Sequence, residues 1–127
     1  MAAVSAVLFA RDARRVGRFY VDVFGATVLL EDSQHAALDL RGFRLVVHMI
    51  PTPLSRAIEI RNPPLRRESG VIRLDYRVAD LVKARIAAKQ QGGQIDDASP
   101  PWAAKDSGFF LGFDPEGNVF GVSAEGR

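Results

Sequence analysis

A chain of 127 residues has the length of one ordinary domain, enough to bury roughly two-thirds of its unfolded surface without disulfide or metal staples. Its 47% hydrophobic and 25% charged residues exclude a disordered or collagen-like chain, and the absence of cysteine removes disulfides, thiolate nucleophiles, zinc fingers and cysteine-ligated iron–sulfur clusters. A net charge of +2, from 17 Lys and Arg against 15 Asp and Glu, makes no polybasic stripe, so nucleic acid is not an expected partner.

Residues 4–8 read as a strand. Asp12 then stands as an N-cap whose carboxylate accepts from the free N–H groups of a first helical turn. Val16, Phe19, Tyr20, Val23 and Phe24 follow at i, i+3, i+4, i+7 and i+8, one apolar helix face, and Gly25 stops the helix. Strands are predicted over 26–30, 36–40 and 45–50, the last an apolar run with His48 inside it. The stretch 51–70 contains Pro51, Pro53, Pro63 and Pro64 and reads as a linker. Within it, the alternation Ala57-Ile58-Glu59-Ile60 predicts a short edge strand.

A further strand at 71–76 leads to Asp80, a second N-cap. Leu81, Ala84, Ala87 and Ala88, widened by Val82 and Ile86, form the next apolar helix stripe, and Gly92 supplies its left-handed C-cap position. Strands over 109–113 and 118–123 flank Asp114-Pro115-Glu116-Gly117. That tetrapeptide is a tight turn, with proline pre-setting φ at its second place and glycine free to take positive φ.

The two halves repeat one another. Asp12 precedes Gly25, and Asp80 precedes Gly93, by the same 13 positions, and the offset between copies is 68 throughout. Each half is therefore strand, helix, then three strands.

This order of parts resembles the vicinal oxygen chelate superfamily, which includes glyoxalase I, bleomycin-resistance proteins and extradiol ring-cleaving dioxygenases. The residues that carry the resemblance are Asp12, Phe19-Tyr20, Phe24-Gly25, Asp80-Leu81, Gly92-Gly93 and Asp114-Pro115-Glu116-Gly117-Asn118-Val119-Phe120. It implies an α+β fold of two tandem βαβββ modules forming a cupped mixed sheet with helices on the outer face. One domain is expected over 1–127, with module one at 1–50, a linker at 51–70 and module two at 71–127. A homodimer is implied as well.

The resemblance further implies a divalent metal held by four positions, one on the first and one on the last strand of each module. Carried onto this sequence, the first-strand positions are Ser5 and Arg73, seven residues before each capping aspartate, and the last-strand position after the turn is Gly121. The corresponding place in module one falls at or near His48. Serine is a poor neutral donor, arginine does not deprotonate to coordinate, and glycine has no side chain. No cofactor is therefore expected. The alternative is a ligand set shifted along the strands, His48 with Asp75 and Glu125 on Zn, Ni, Mn or Fe, serving a lyase or dioxygenase. An extradiol dioxygenase needs two histidines, and His35 is expected outside the cavity.

Strand alternation turns Ser5, Val7 and Phe9 to one face with Arg44, Val46 and His48, and likewise Arg73, Asp75 and Arg77 with Val119, Gly121 and Ser123. Such a mixed lining suits a small anionic or polar molecule with a flat apolar part. The candidate ligand-binding residues are His48, Arg73, Asp75, Ser5, Arg44 and Trp102, the last on a loop as a lid. Each also has a structural reading: Arg73 and Asp75 as an ion pair standing where a metal would, His48 as a satisfied core residue, Trp102 as a cover on the core. No catalytic residue is assigned, and whether a reaction occurs is open. No run of apolar residues approaches the roughly 20 that span a bilayer, and nothing resembles a leader, so a cytoplasmic protein without a membrane partner is expected.

Overall fold

A computed structural model describes residues 4–51, 54 and 58–125. Its elements run β1 (Ser5–Ala10), α1 (Ala13–Phe24), β2 (Thr27–Glu31), β3 (His35–Leu40), β4 (Phe43–Met49), β5 (Asp75–Val78), α2 (Leu81–Gln90), β6 (Gln94–Ile95), β7 (Phe109–Phe113) and β8 (Val119–Ala124). They make two four-stranded sheets with the same topology, β1-β4-β3-β2 and β5-β8-β7-β6. In each, the first strand lies parallel to the last, β1 on β4 and β5 on β8, and the remaining pairs are antiparallel. The α+β architecture of two βαβββ units is the one the repeat predicts.

Local chemistry explains the element ends. Asp12 and Asp80 each accept from the backbone N–H three residues on, Arg15 and Lys83, both at 3.1 Å. Gly25 closes α1 at φ 72°, and Gly92 takes φ 88° just beyond α2. The β3–β4 hairpin turns on Arg41 and Gly42, whose φ values of 54° and 90° are those of a two-residue type I′ loop. Gly117 closes the Asp114 turn at φ 84°, with its N–H 2.9 Å from the Asp114 carbonyl.

A single core joins the two sheets. Val16, Phe19, Tyr20 and Val23 of α1 are buried against Leu38, Leu45 and Val47 of the first sheet. The same helix reaches the second sheet: Phe24 stacks on Tyr76 at 4.1 Å and meets Phe120 edge-on at 5.1 Å. Ala84 and Ala88 of α2 are buried where the helices approach each other. Two carboxylates of the Asp114 turn complete the junction. Asp114 accepts from the Tyr20 hydroxyl at 2.8 Å, and Glu116 accepts from the backbone N–H of Arg11 and of Asp12, each at 2.7 Å.

Three sequence expectations are corrected. Val82 and Ile86 are exposed and do not widen the buried stripe, because α2 meets α1 through a narrow alanine contact. Strand β5 starts at Asp75 instead of 71, since backbone pairing with β8 begins with the Leu74 carbonyl, which accepts from Gly121 N–H at 3.0 Å. Val71 and Ile72 are left 99% and 82% exposed. Residues 58–60 form no strand; Ala57, like Pro53, lies outside the described residues.

Candidate functional site

The alternation of exposure fixes which side chains leave the core. On β1, Ala6, Leu8 and Ala10 turn inward while Ser5, Val7 and Phe9 are exposed; on β4, Leu45 and Val47 are fully buried while Arg44 and His48 are exposed. Strand register then builds rows on the outward face of the first sheet: Ser5 beside Arg44 beside Asp39, and Phe9 beside His48 beside His35. The His48 imidazole lies 2.8 Å from the Met49 carbonyl through Nδ1. Its ring centroid is 6.0 Å from that of Phe9 and 6.0 Å from that of His35. His35, expected outside the cavity, therefore shares this face with His48.

A second cluster sits on the other sheet. Arg73 donates to Asp75 twice, Nε to Oδ1 at 2.7 Å and an Nη to Oδ2 at 3.1 Å. The carboxylate raises the guanidinium pKa further, with desolvation opposing it. The same guanidinium lies 5.3 Å from the centroid of Trp102 and 5.1 Å from that of Phe109, a double cation–π contact. Trp102 itself packs on Phe109 at 5.7 Å and remains largely exposed. Behind this cluster a cavity of about 480 Å³ runs between the sheets, with Leu8, Tyr20, Tyr76 and Phe120 as its apolar walls and Arg67, Arg73 and Trp102 at its rim.

Of the six candidate residues, Arg73, Asp75 and Trp102 thus come together, while Ser5, Arg44 and His48 lie on the first sheet. Counted from the capping aspartates, Val7 corresponds to Asp75. Val7 pairs with Val46 and Asp75 with Gly121, so the module-one counterpart of Gly121 is Val46, two residues before His48. A Cβ placed on Gly121 would collide with Asp75 Oδ1 and with the Phe109 ring. The shifted set is not assembled either: Glu125 pairs with Arg41 and Asp75 with Arg73. Among the described residues no group of three or more His, Asp or Glu is placed to hold a metal ion. Among the described residues no helix is long and apolar enough to cross a membrane.

Sequence reasoning missed Phe109, Arg67 and the position of His35. Phe109 pairs with Ser123, which pairs with Arg77, so alternation on three strands would have placed it on the Arg73 face. His35 and His48 stand equally far from the Arg41-Gly42 turn, and that hairpin symmetry sets them opposite each other.

Comparisons with known proteins agree with this architecture. The family model described as Glyoxalase-like domain matches residues 5–123. A search of curated proteins gave no match. A glyoxalase/bleomycin resistance protein/dioxygenase family enzyme from Burkholderia phytofirmans PsJN is 18% identical, with a TM-score of 0.66 and 98% of each chain covered. A glyoxalase-related enzyme from Fulvimarina pelagi is 17% identical, with a TM-score of 0.63, covering 98% of this chain and 88% of that one. The fosfomycin resistance protein FosX from Listeria monocytogenes, solved as a variant complexed with Mn(II) and 1S,2S-dihydroxypropylphosphonic acid, is 12% identical, with a TM-score of 0.65 over 97% of this chain and 90% of that one. At these identities the likeness is one of fold. With the family match spanning nearly the whole chain, the protein belongs to the glyoxalase-like domain family of the vicinal oxygen chelate superfamily.

Proposed function

We propose that this protein binds a small anionic molecule with a flat apolar part, without a metal ion, where Arg73 and Trp102 open the cavity between the sheets. The observation that carries the reading is Arg73 itself. It occupies a first-strand position at which the superfamily resemblance implies a metal ligand, and it is tied to Asp75 and faced by two aromatic rings. A fixed guanidinium repels a divalent cation and attracts an anion. The chemistry of the other three positions supports the same reading: Ser5 is a neutral hydroxyl, Val46 has no donor, and the space beside Gly121 is filled by Asp75 and Phe109. These residues do not fit a superfamily metal.

Asp75 uses two of the five guanidinium donors, which leaves three for a carboxylate, phosphate or phosphonate. Trp102 and the apolar cavity wall would receive the flat part of the ligand. Ser5 and Arg44 join the same site if two copies associate with the first sheet of one over the second sheet of the other. Exposed Val7, Phe9 and Leu30 on the first sheet support such a homodimer.

The chain has a single tryptophan, so Trp102 fluorescence reports on the site directly. Titration with phenylphosphonate and with benzoate, in chelator-treated protein, is expected to give saturable quenching that Arg73→Met weakens at least tenfold. Quenching that requires added Zn, Ni, Mn or Fe, or that survives Arg73→Met, would overturn the reading in favour of a metal-dependent lyase or dioxygenase.

A further inference from the structure

We propose that His35 and His48 form a binding site for one imidazole-preferring divalent ion, Zn²⁺, Ni²⁺ or Cu²⁺, on the outward face of the first sheet, separate from the Arg73 cavity. The two residues face each other across β3 and β4. The Met49 N–H donates to the Gln34 carbonyl at 2.6 Å, so the flanking positions carry the backbone bond and the histidines form a non-hydrogen-bonded pair. This is the closest cross-strand arrangement, with Cα atoms about 4.5 Å apart. Their rings lie 6.0 Å apart between centroids and within 19° of parallel.

The second observation concerns the nitrogens. His48 Nδ1 lies 2.8 Å from the Met49 carbonyl, and His35 Nδ1 lies 3.0 Å from Asp32 Oδ1. Both partners are acceptors only, so in each neutral ring the proton belongs on Nδ1 and the lone pair on Nε2. That is the form in which histidine binds a metal through Nε2 while a carbonyl or carboxylate steadies the other nitrogen. Asp32 is in turn held by the N–H groups of Gln34 at 2.8 Å and His35 at 2.9 Å, and these bonds keep its carboxyl below its ordinary pKa. The tight turn at 32–35 thus orients one ring and the β4 backbone orients the other, and among the described residues neither Nε2 has a hydrogen-bond partner.

Two imidazoles on one tetrahedral ion, at metal–nitrogen distances of about 2.0–2.1 Å, have centroids roughly 5 Å apart. The observed rings need to close by only about 1 Å and to turn about χ2, a broad torsion. Water fills the remaining positions. Two nitrogen donors favour Cu²⁺ over Ni²⁺ or Zn²⁺ and discriminate against Mg²⁺ and Mn²⁺, which prefer oxygen. This pair lies on β3 and β4, whereas the implied superfamily set lies on β1, β4, β5 and β8 with Val46 as its β4 member, so it is a different site.

The test is a titration of tag-free protein with ZnCl₂, and in parallel MgCl₂, followed by the imidazole proton resonances, of which the chain's two histidines give the only ones. Both histidines are expected to respond together to Zn²⁺, saturating at one ion per chain in the micromolar range, with no response to Mg²⁺. His35→Gln and His48→Gln should each weaken binding at least tenfold. Asp32→Ala should weaken it about tenfold, because it removes the acceptor that orients His35. A response from one histidine alone, saturation only at millimolar zinc, or undiminished binding in both glutamine variants would overturn the proposal. His35→Gln leaves the anion titration of Trp102 intact, so this site and the Arg73 site fail independently.

Discussion

The carboxylate of Glu116 and the backbone N–H of Asp12, 104 positions apart in the chain, meet at 2.7 Å. Through its other oxygen Glu116 takes the Arg11 N–H at the same distance. One buried side chain from the second repeat thereby satisfies two donors at the start of the first repeat's helix. Replacing it with alanine leaves both donors under the turn without a partner. Glu116→Ala is expected to cost about 2–4 kcal/mol in urea denaturation, and Glu116→Gln, which keeps one acceptor, about half as much. A loss below about 0.5 kcal/mol for the alanine variant would mean that water replaces the carboxylate freely.

Tyr20 donates to Asp114, whose carboxyl is raised above its ordinary pKa by burial against the opposing pull of Asn118, the Glu116 N–H and Tyr20. A raised folded-state pKa gives a contribution that is fully present below the unfolded value, about 3.9, and is lost as pH rises through the folded value. Tyr20→Phe removes one donor to the charged form and makes that loss larger. The variant is expected to be less stable by about 1.5–3 kcal/mol at pH 7 and by only about 1 kcal/mol near pH 3. Denaturation curves at the two pH values check this, and a difference that grows toward acid would contradict it.

Asp96 has the opposite sign. The Arg66 guanidinium, at 2.8 Å, holds its carboxyl below the ordinary value, so its stabilisation is present above the unfolded pKa and is lost as pH falls through the folded one. The pair is partly exposed, and solvent and salt screen it. Asp96→Asn should cost less than about 1 kcal/mol at pH 7, fade below pH 4, and shrink in high salt.

Gly121→Ala brings a methyl group against Asp75 and Phe109. Either the Arg73–Asp75 pair or the Phe109 ring has to move, at about 1–3 kcal/mol. The accompanying signature is a shifted Trp102 emission, since Trp102 packs on both Phe109 and Arg73. An unchanged spectrum would show that the cluster yields without disturbing the indole.

If two copies pair through their sheet faces, light scattering at micromolar concentration should return about twice 13.9 kDa. Phe9→Asp, placed on the exposed row of the first sheet, should shift that mass toward the single chain. A monomeric mass for the unaltered protein would remove the shared site.

Much of this was legible because the signals were local and repeated. The capping aspartates, the Gly25 stop, the Asp114 turn and the α1 face each depend on residues within one turn of one another. The start of β5 was not legible, because alternation tells which way a side chain points but not where a neighbouring strand begins to pair. Val82 and Ile86 were misread for a similar reason: helical periodicity gives the direction of a stripe, while its width is set by the partner, here α1. His35 was recoverable from distance to the Arg41-Gly42 turn. The Arg73–Trp102 contact was not, since it joins a residue just ahead of β5 to a loop with no pattern of its own.

The stacking of Phe24 on Tyr76 and the burial of Phe19 and Tyr20 beside Phe120 make each half of the repeat depend on the other. A fragment ending near residue 50 would carry three of those rings with nothing to cover them, and the other half would leave Tyr76 and Phe120 without the α1 rings that pack on them. The duplicated halves are therefore expected to melt together in a single step. A change to the rings of the first copy is felt at once by the second, whose Tyr76 and Phe120 pack directly on them.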